Sequence, residues 1–133
     1  MSSRRPHKHF ILDATINNAP SNEQEMKDFL VSIINMIGMT VAKLTNDQSN
    51  PIAWYCDETD NEGMTASAIL TTSHVILHVW DNLPLAEIHF DLYSCSDFDP
   101  KEVYKVLNEK FGITGYCGVV RDRLRGHTTE FTA

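Results

Sequence analysis

The stretch "LTTSHVILHVWD" (70–81) puts two hydroxyls, Thr72 and Ser73, beside His74, with His78 following inside an apolar run. A serine oxygen is a nucleophile when a base is at hand, and an imidazole that titrates near neutrality moves protons in both directions. Thr65 upstream and Cys95 downstream add a further hydroxyl and a thiol. Several chemistries fit these residue types. On an extended strand His74 and His78 share a face, which would suit a metal, but the usual motif is helical and needs a third ligand, so none is expected. A Ser-His-Asp hydrolase is conceivable, yet no G-x-S-x-G turn surrounds Ser73. Each of these residues also has an ordinary packing role, so spacing alone does not decide.

The elements that must hold these groups can be read along the chain. "HFILDATI" (9–16) is apolar and β-branched and predicts a strand. In 21–38, Ser21 as N-cap and Gln24 three later predict a capped helix. Its stripe is Met26, Phe29, Leu30, Ile33, Ile34 and Ile37, and Gly38 closes it. "MTVAKL" (39–44) predicts a short strand, and the acidic stretch after it a loop with strand character near Trp54 and Tyr55. "TASAILTT", "SHVILHVWD" and "LAEIHFDLYSC" predict successive strands. Asp99, Pro100 and Glu102 start a second helix whose buried face is Val103, Val106, Leu107 and Phe111. "ITGYCGVV" predicts a last strand and "RDRLRGHTTEFTA" a polar tail. The order gives an α+β class: a two-layer α/β sandwich, mainly antiparallel, with two helices on one face. "HFILD" and "HFDLY" precede the two helices as a weak echo, too short to establish a duplication.

Bulk composition removes some function classes. The 133 residues fit one domain, 1–133, with a formal net charge of -7 and a pI near 5.2. With no basic stripe, nucleic-acid binding is not expected, and the basic start "SSRRPHKH" reads as a solvated tail. No apolar run is long enough for a membrane span, and "FILDATI" lacks a signal-peptide cleavage site. Cys56, Cys95 and Cys117 form no pattern, which suits a reducing cytoplasm.

Taken together, "GMTASAILTTSHVILHVWD" and "AEIHFDLYSC" resemble the core of the prokaryotic S-adenosylmethionine decarboxylase proenzymes, which depend on a pyruvoyl group. That family's pattern is a G-V-[ST]-G turn, a strand ending E-S-H, then x-x-x-H-[TS]-[WY]-P-E and A-V-D-[VIL]-[FY]-[TS]-C-G. Gly63-Met64-Thr65 matches the turn, Ser73-His74 the S-H pair, His78 and Trp80 the following segment, and Phe90 to Cys95 the last. "KHFILDATI" is similar to the amino-terminal G-x-H-L-x-L-D-L, through His9, Leu12 and Asp13. The likeness covers about 8–122.

The resemblance implies a chain that makes its own cofactor. Ser73 would attack the Thr72 carbonyl, and elimination would cut the chain between Thr72 and Ser73 into 1–72 and 73–133, leaving a pyruvoyl group on the second. That ketone would form a Schiff base with the substrate and act as electron sink for decarboxylation. By position, His78 would serve proton transfer in processing, with Thr65 assisting, and Cys95 would reprotonate the substrate carbon. The product would feed spermidine biosynthesis, the substrate being a small molecule. An open sheet face and the family's habit imply a homodimer.

The sequence departs from the pattern at four places. Thr72 replaces the glutamate before the serine, W-P-E becomes Trp80-Asp81-Asn82 with an extension before Cys95, Thr59 stands where an adenine-stacking aromatic is expected, and Ala66 replaces a glycine. Trp54 or Tyr55 are the alternative rings. The acids Asp57, Glu58, Asp60 and Glu62 suit the distal cation of ornithine or arginine, so the same cofactor chemistry on a basic amino acid is one alternative. A non-catalytic relative serving as a regulatory or partner subunit is another.

Overall fold

The computed structural model describes residues 6–133. Part of the basic start, residues 2–5, lies outside them. From Lys8 on, that start is not a tail. It opens β1 (Lys8–Ile16), and the Lys8 ammonium donates to the Phe98 carbonyl at 2.7 Å and pairs with Asp97. The other elements are α1 (Glu23–Met36), β2 (Ile52–Cys56), β3 (Gly63–Leu70), β4 (Ser73–Trp80), β5 (Ala86–Ser94), α2 (Pro100–Phe111), β6 (Ile113–Asp122) and β7 (His127–Glu130). All strand pairings are antiparallel, and the seven strands lie in the order β2-β3-β4-β5-β1-β6-β7. With both helices on one face, this is the α+β sandwich expected.

Strand periodicity builds the two faces. Phe10, Leu12, Ala14 and Ile16 of β1, Val75, Leu77 and Val79 of β4, and Ile88, Phe90 and Leu92 of β5 are buried. They join Met26, Leu30 and Ile33 of α1 and Val103, Leu107 and Phe111 of α2 in one core. Each of the larger side chains among them contributes about 1.5–3 kcal/mol by burial. The alternate residues, among them His9, Asp13, His74, His78, His89 and Asp91, line the opposite face, which no helix covers. That face is called the open face below. Gly63 begins β3 where a Cβ would stand 2.0 Å from the Val79 carbonyl oxygen, so the close approach of β3 and β4 there needs glycine.

Three expectations are corrected. The N-cap of α1 is Asn22, not Ser21. Its side chain accepts from the Glu25 amide at 2.8 Å, while the Glu25 carboxylate accepts from the Ser21 amide, so the reciprocal cap sits one residue later and uses Glu25 in place of Gln24. Residues 39–44 form no strand. Val41 makes a single bridge to Leu70, and Asn50 takes the neighbouring ladder positions by bonding the Ala42 and Ile69 carbonyls and the Ile69 amide. The polar tail is instead the end of β6 and all of β7, joined by a turn in which the Asp122 carboxylate accepts from Leu124 and Arg125. Phe131 follows, buried against Phe10 and Tyr104. One buried apolar anchor in a mostly polar stretch of thirteen residues is too little for periodicity to reveal. The second helix has the expected cap, Asp99 accepting from the Lys101 amide, with Gly112 closing it at φ 65°.

Candidate active site

Thr71 and Thr72 form the two-residue turn between β3 and β4, closed by the pairing of Leu70 with Ser73. Thr72 has φ 50°. A β-branched residue in this left-handed region carries about 1–3 kcal/mol of strain. The strain falls on the residue that supplies the carbonyl to the Thr72–Ser73 amide. Ser73 is 8% exposed, and its Oγ accepts from the backbone amide of Cys95 at 2.9 Å. The Thr72 hydroxyl donates to the Thr71 carbonyl at 2.8 Å and lies 3.2 Å from the Cys95 sulfur, itself 3.4 Å from that carbonyl. The hydroxyls of Ser73 and Thr72 hold the Cys95 thiol below its ordinary value, against a smaller opposing effect of burial. Ser94 fixes the chain around Cys95, accepting from the Ser96 amide and donating to the Met39 sulfur. A nucleophilic hydroxyl, a strained carbonyl donor and an acidified thiol thus meet at one end of the sheet.

A second group lies on the open face. Thr65 and His78 are direct partners across β3 and β4, with Thr65 Oγ1 2.8 Å from His78 Nδ1. Burial pushes the His78 imidazole below its usual value, His89 adds to this, and Asp91 opposes it. The exposed indole of Trp54 stands opposite Thr65 across β2 and β3. With Ile52, Ala53, Thr65 and Ser67 it lines a shallow hollow of about 320 Å³. Thr59 lies in the turn between β2 and β3, outside that hollow.

A third cluster joins His9, His74 and Asp91. Asp91 Oδ1 accepts from His9 Nε2 at 2.7 Å and His74 Nε2 at 2.8 Å. The three donor atoms lie within 4.8 Å of one another, as metal ligands could. Arg123 argues for a different use. Its Nη1, which can only donate, reaches His9 Nδ1 at 3.1 Å, so the ring proton of His9 sits on Nε2. A ring nitrogen that donates to a carboxylate has no lone pair left for a metal. Burial would raise the Asp91 carboxyl, but the two imidazole hydrogen bonds outweigh it and hold the group below its usual value. This network ties β1, β4 and β5 together.

The structure therefore brings Ser73, Thr72 and Cys95 together, and Thr65 with His78, but does not join the two groups within one chain. The Ser73 side chain faces the helices while His78 lies on the open face. Five residues of strand separate them, about 17 Å. His74 and His78 are also apart, since His74 turns to Asp91. Sequence reasoning gave His9 and His89 no role in the site and did not single out Asp91. Strand parity put all three on the face of His74 and His78, and that was the available signal.

A family model described as S-adenosylmethionine decarboxylase matches residues 8–123. The chain belongs to the S-adenosylmethionine decarboxylase family. That match spans β1 through β6 and so includes Thr65, Thr72, Ser73, His78 and Cys95. Family membership implies a carboxy-lyase acting on a small molecule. A search of curated proteins gives no match. None of the helices among the described residues is long and apolar enough to cross a membrane.

Proposed function

We propose that this chain is a self-processing, pyruvoyl-dependent decarboxylase of S-adenosylmethionine, supplying its product to spermidine synthesis. The observation that carries this reading is the turn at Thr72 and Ser73. There a buried hydroxyl follows a carbonyl donor held at positive φ, with Cys95 against both.

The chemistry follows from these atoms. Ser73 Oγ adds to the Thr72 carbonyl carbon as its proton passes to a base. Collapse breaks the carbon–nitrogen bond, the nitrogen takes a proton, and an ester remains. Strain at Thr72 favours the step because it is released as the amide is lost. The Cys95 amide bonds Ser73 Oγ and stabilises negative charge there. Removal of the Ser73 Cα proton then expels the Thr72 carboxylate, and one water enters as ammonia leaves. The ketone so formed supplies an electrophile for the substrate amine and a sink for the electrons released with carbon dioxide. Cys95, with its thiol acidified, is placed to return the proton to the substrate carbon.

The base for processing is the neutral His78, oriented by Thr65. Since the pair lies about 17 Å along β4 from its own Ser73, a second copy supplies it. Ile52, Trp54 and Ile69 are more than half exposed on the open face, and an apolar patch of this kind on it favours a homodimer. Trp54, beside Thr65, offers the ring for adenine that Thr59 lacks.

The test is mass spectrometry of folded protein followed by a substrate assay. The 15.1 kDa chain should convert to fragments 1–72 and 73–133, and Ser73→Ala should stay intact. Borohydride should fix labelled S-adenosylmethionine to the 73–133 fragment, with release of labelled carbon dioxide. Only uncut chain, inert to carbonyl reagents, would mean a non-catalytic relative. Turnover of ornithine or arginine alone would overturn the substrate.

A further inference from the structure

The register of the open face aligns six residues in one row across neighbouring strands: Trp54, Thr65, His78, His89, Asp13 and Cys117. The middle of this row contains two imidazoles directly opposed, His78 on β4 and His89 on β5. Opposed side chains on antiparallel strands have Cβ atoms about 4.5–5.5 Å apart, where like charges destabilise each other.

The two rings have unlike neighbours. His78 meets the neutral Thr65 hydroxyl from β3 and the Trp80 ring from its own strand, at 6.0 Å between centroids. His89 packs edge-on against the same Trp80 ring at 4.6 Å. On its other side, His89 Nε2 lies 3.9 Å from Asp13 Oδ1 of β1 and 3.9 Å from Glu87 Oε2 of β5. The remaining nearby charges are Asp91 on β5, which attracts positive charge toward His78, and His74 on β4, which is turned to Asp91. Asp91 is already engaged by two imidazoles, which reduces its pull.

We propose that His89 is a positioning residue for self-processing: directly opposed to His78 across β4 and β5, with Asp13 and Glu87 behind it, it disfavours a proton on His78 and so keeps that ring a neutral proton acceptor. This rests on His78 acting as the base of cleavage, as proposed above. Burial acts on His78 in the same direction, so the device extends the acid limit of processing. Trp80 packs against both rings.

Two measurements test it. In the uncut Ser73→Ala chain, ring resonances of His78 are followed against pH with His89 intact, with His89→Gln and with His89→Lys. The midpoint of His78 should move up in His89→Gln, which removes the opposed imidazole, and return to or below its original place in His89→Lys, which puts a cation there. In the cleavage-competent chain, the ratio of processing rates between about pH 8 and about pH 6 should rise about threefold or more in His89→Gln, with little change at the upper pH. His89→Lys should restore the original profile. A His78 midpoint indifferent to both replacements overturns the proposal, as does equal slowing at both pH values, which marks a merely structural residue. If the wild-type chain never cleaves, the role of His78 as processing base fails, whereas the titration of the uncut chain judges the His78–His89 relationship separately.

Discussion

The backbone amide of Cys95 donates to the hydroxyl of Ser73 across 2.9 Å. This ties the end of β5 to the start of β4, so the thiol stays beside position 73 whichever chemistry occurs there. A proton donor must carry its proton, and the Cys95 thiol sits below its ordinary value of 9.0. Decarboxylation should therefore fall as pH rises through that lowered value, earlier than for an ordinary cysteine. Cys95→Ser should move this basic limit upward and lower kcat by about a hundredfold, with cleavage preserved because the amide is unchanged. Steady-state pH profiles of processed protein check both parts. A basic limit unmoved by the substitution would exclude the thiol.

Thr72 is the second lever. Glycine accepts φ 50° without penalty, so Thr72→Gly should stabilise the uncut chain while removing strain that cleavage releases. Of the about 1–3 kcal/mol at stake, even the lower figure slows processing about fivefold. The thermal midpoint of a Ser73→Ala, Thr72→Gly double variant should rise over Ser73→Ala alone. Unchanged cleavage kinetics together with higher stability would show that the turn's strain is not used.

If the Thr65–His78 pair serves a second copy, damaged chains should repair one another. Ser73→Ala retains His78, and His78→Ala retains Ser73. Neither should cleave alone at a useful rate. Co-refolded, the His78→Ala chain should be cut, in up to about half of the mixed dimers' chains. Gel analysis with one partner tagged reads this directly. Cleavage of the His78→Ala chain by itself would place the base elsewhere.

Trp54 is 67% exposed beside Thr65. Stacking on adenine contributes about 1–3 kcal/mol per ring, so Trp54→Ala should raise KM for S-adenosylmethionine by about five- to a hundredfold, and Trp54→Phe should recover part of it. Since no adenine takes part in processing, cleavage kinetics should not follow KM. A KM unaffected by loss of the ring would give adenine recognition to other residues.

Much of this architecture was legible because burial follows local period. Phe10, Leu12, Ala14 and Ile16 alternate as a half-buried strand must, and Asp99-Pro100 announces α2 by its own chemistry. Where two residues able to cap stood side by side, as Ser21 and Asn22 did, local pattern did not separate them. Phe131 was hidden because a single ring carries no period, and 39–44 because an asparagine side chain from elsewhere took over its pairing. In the site, Ser73, His78 and Cys95 were singled out through the family resemblance, since their types and spacing alone left several chemistries open. The association of His9, His74 and Asp91, and the opposition of His78 to His89, depend on register between strands distant in sequence, and no local pattern encodes that.

Strand order has one more consequence. A cut after residue 72 leaves β1, β2 and β3 in one piece and β4 to β7 in the other, yet β1 lies between β5 and β6. The two pieces are interleaved, not merely adjacent, and parting them would require tearing three ladders, two from β1 and one between β3 and β4. Scission would thus cost the folded body little of its cohesion, while giving the new terminus at position 73 a freedom that the closed turn denies it.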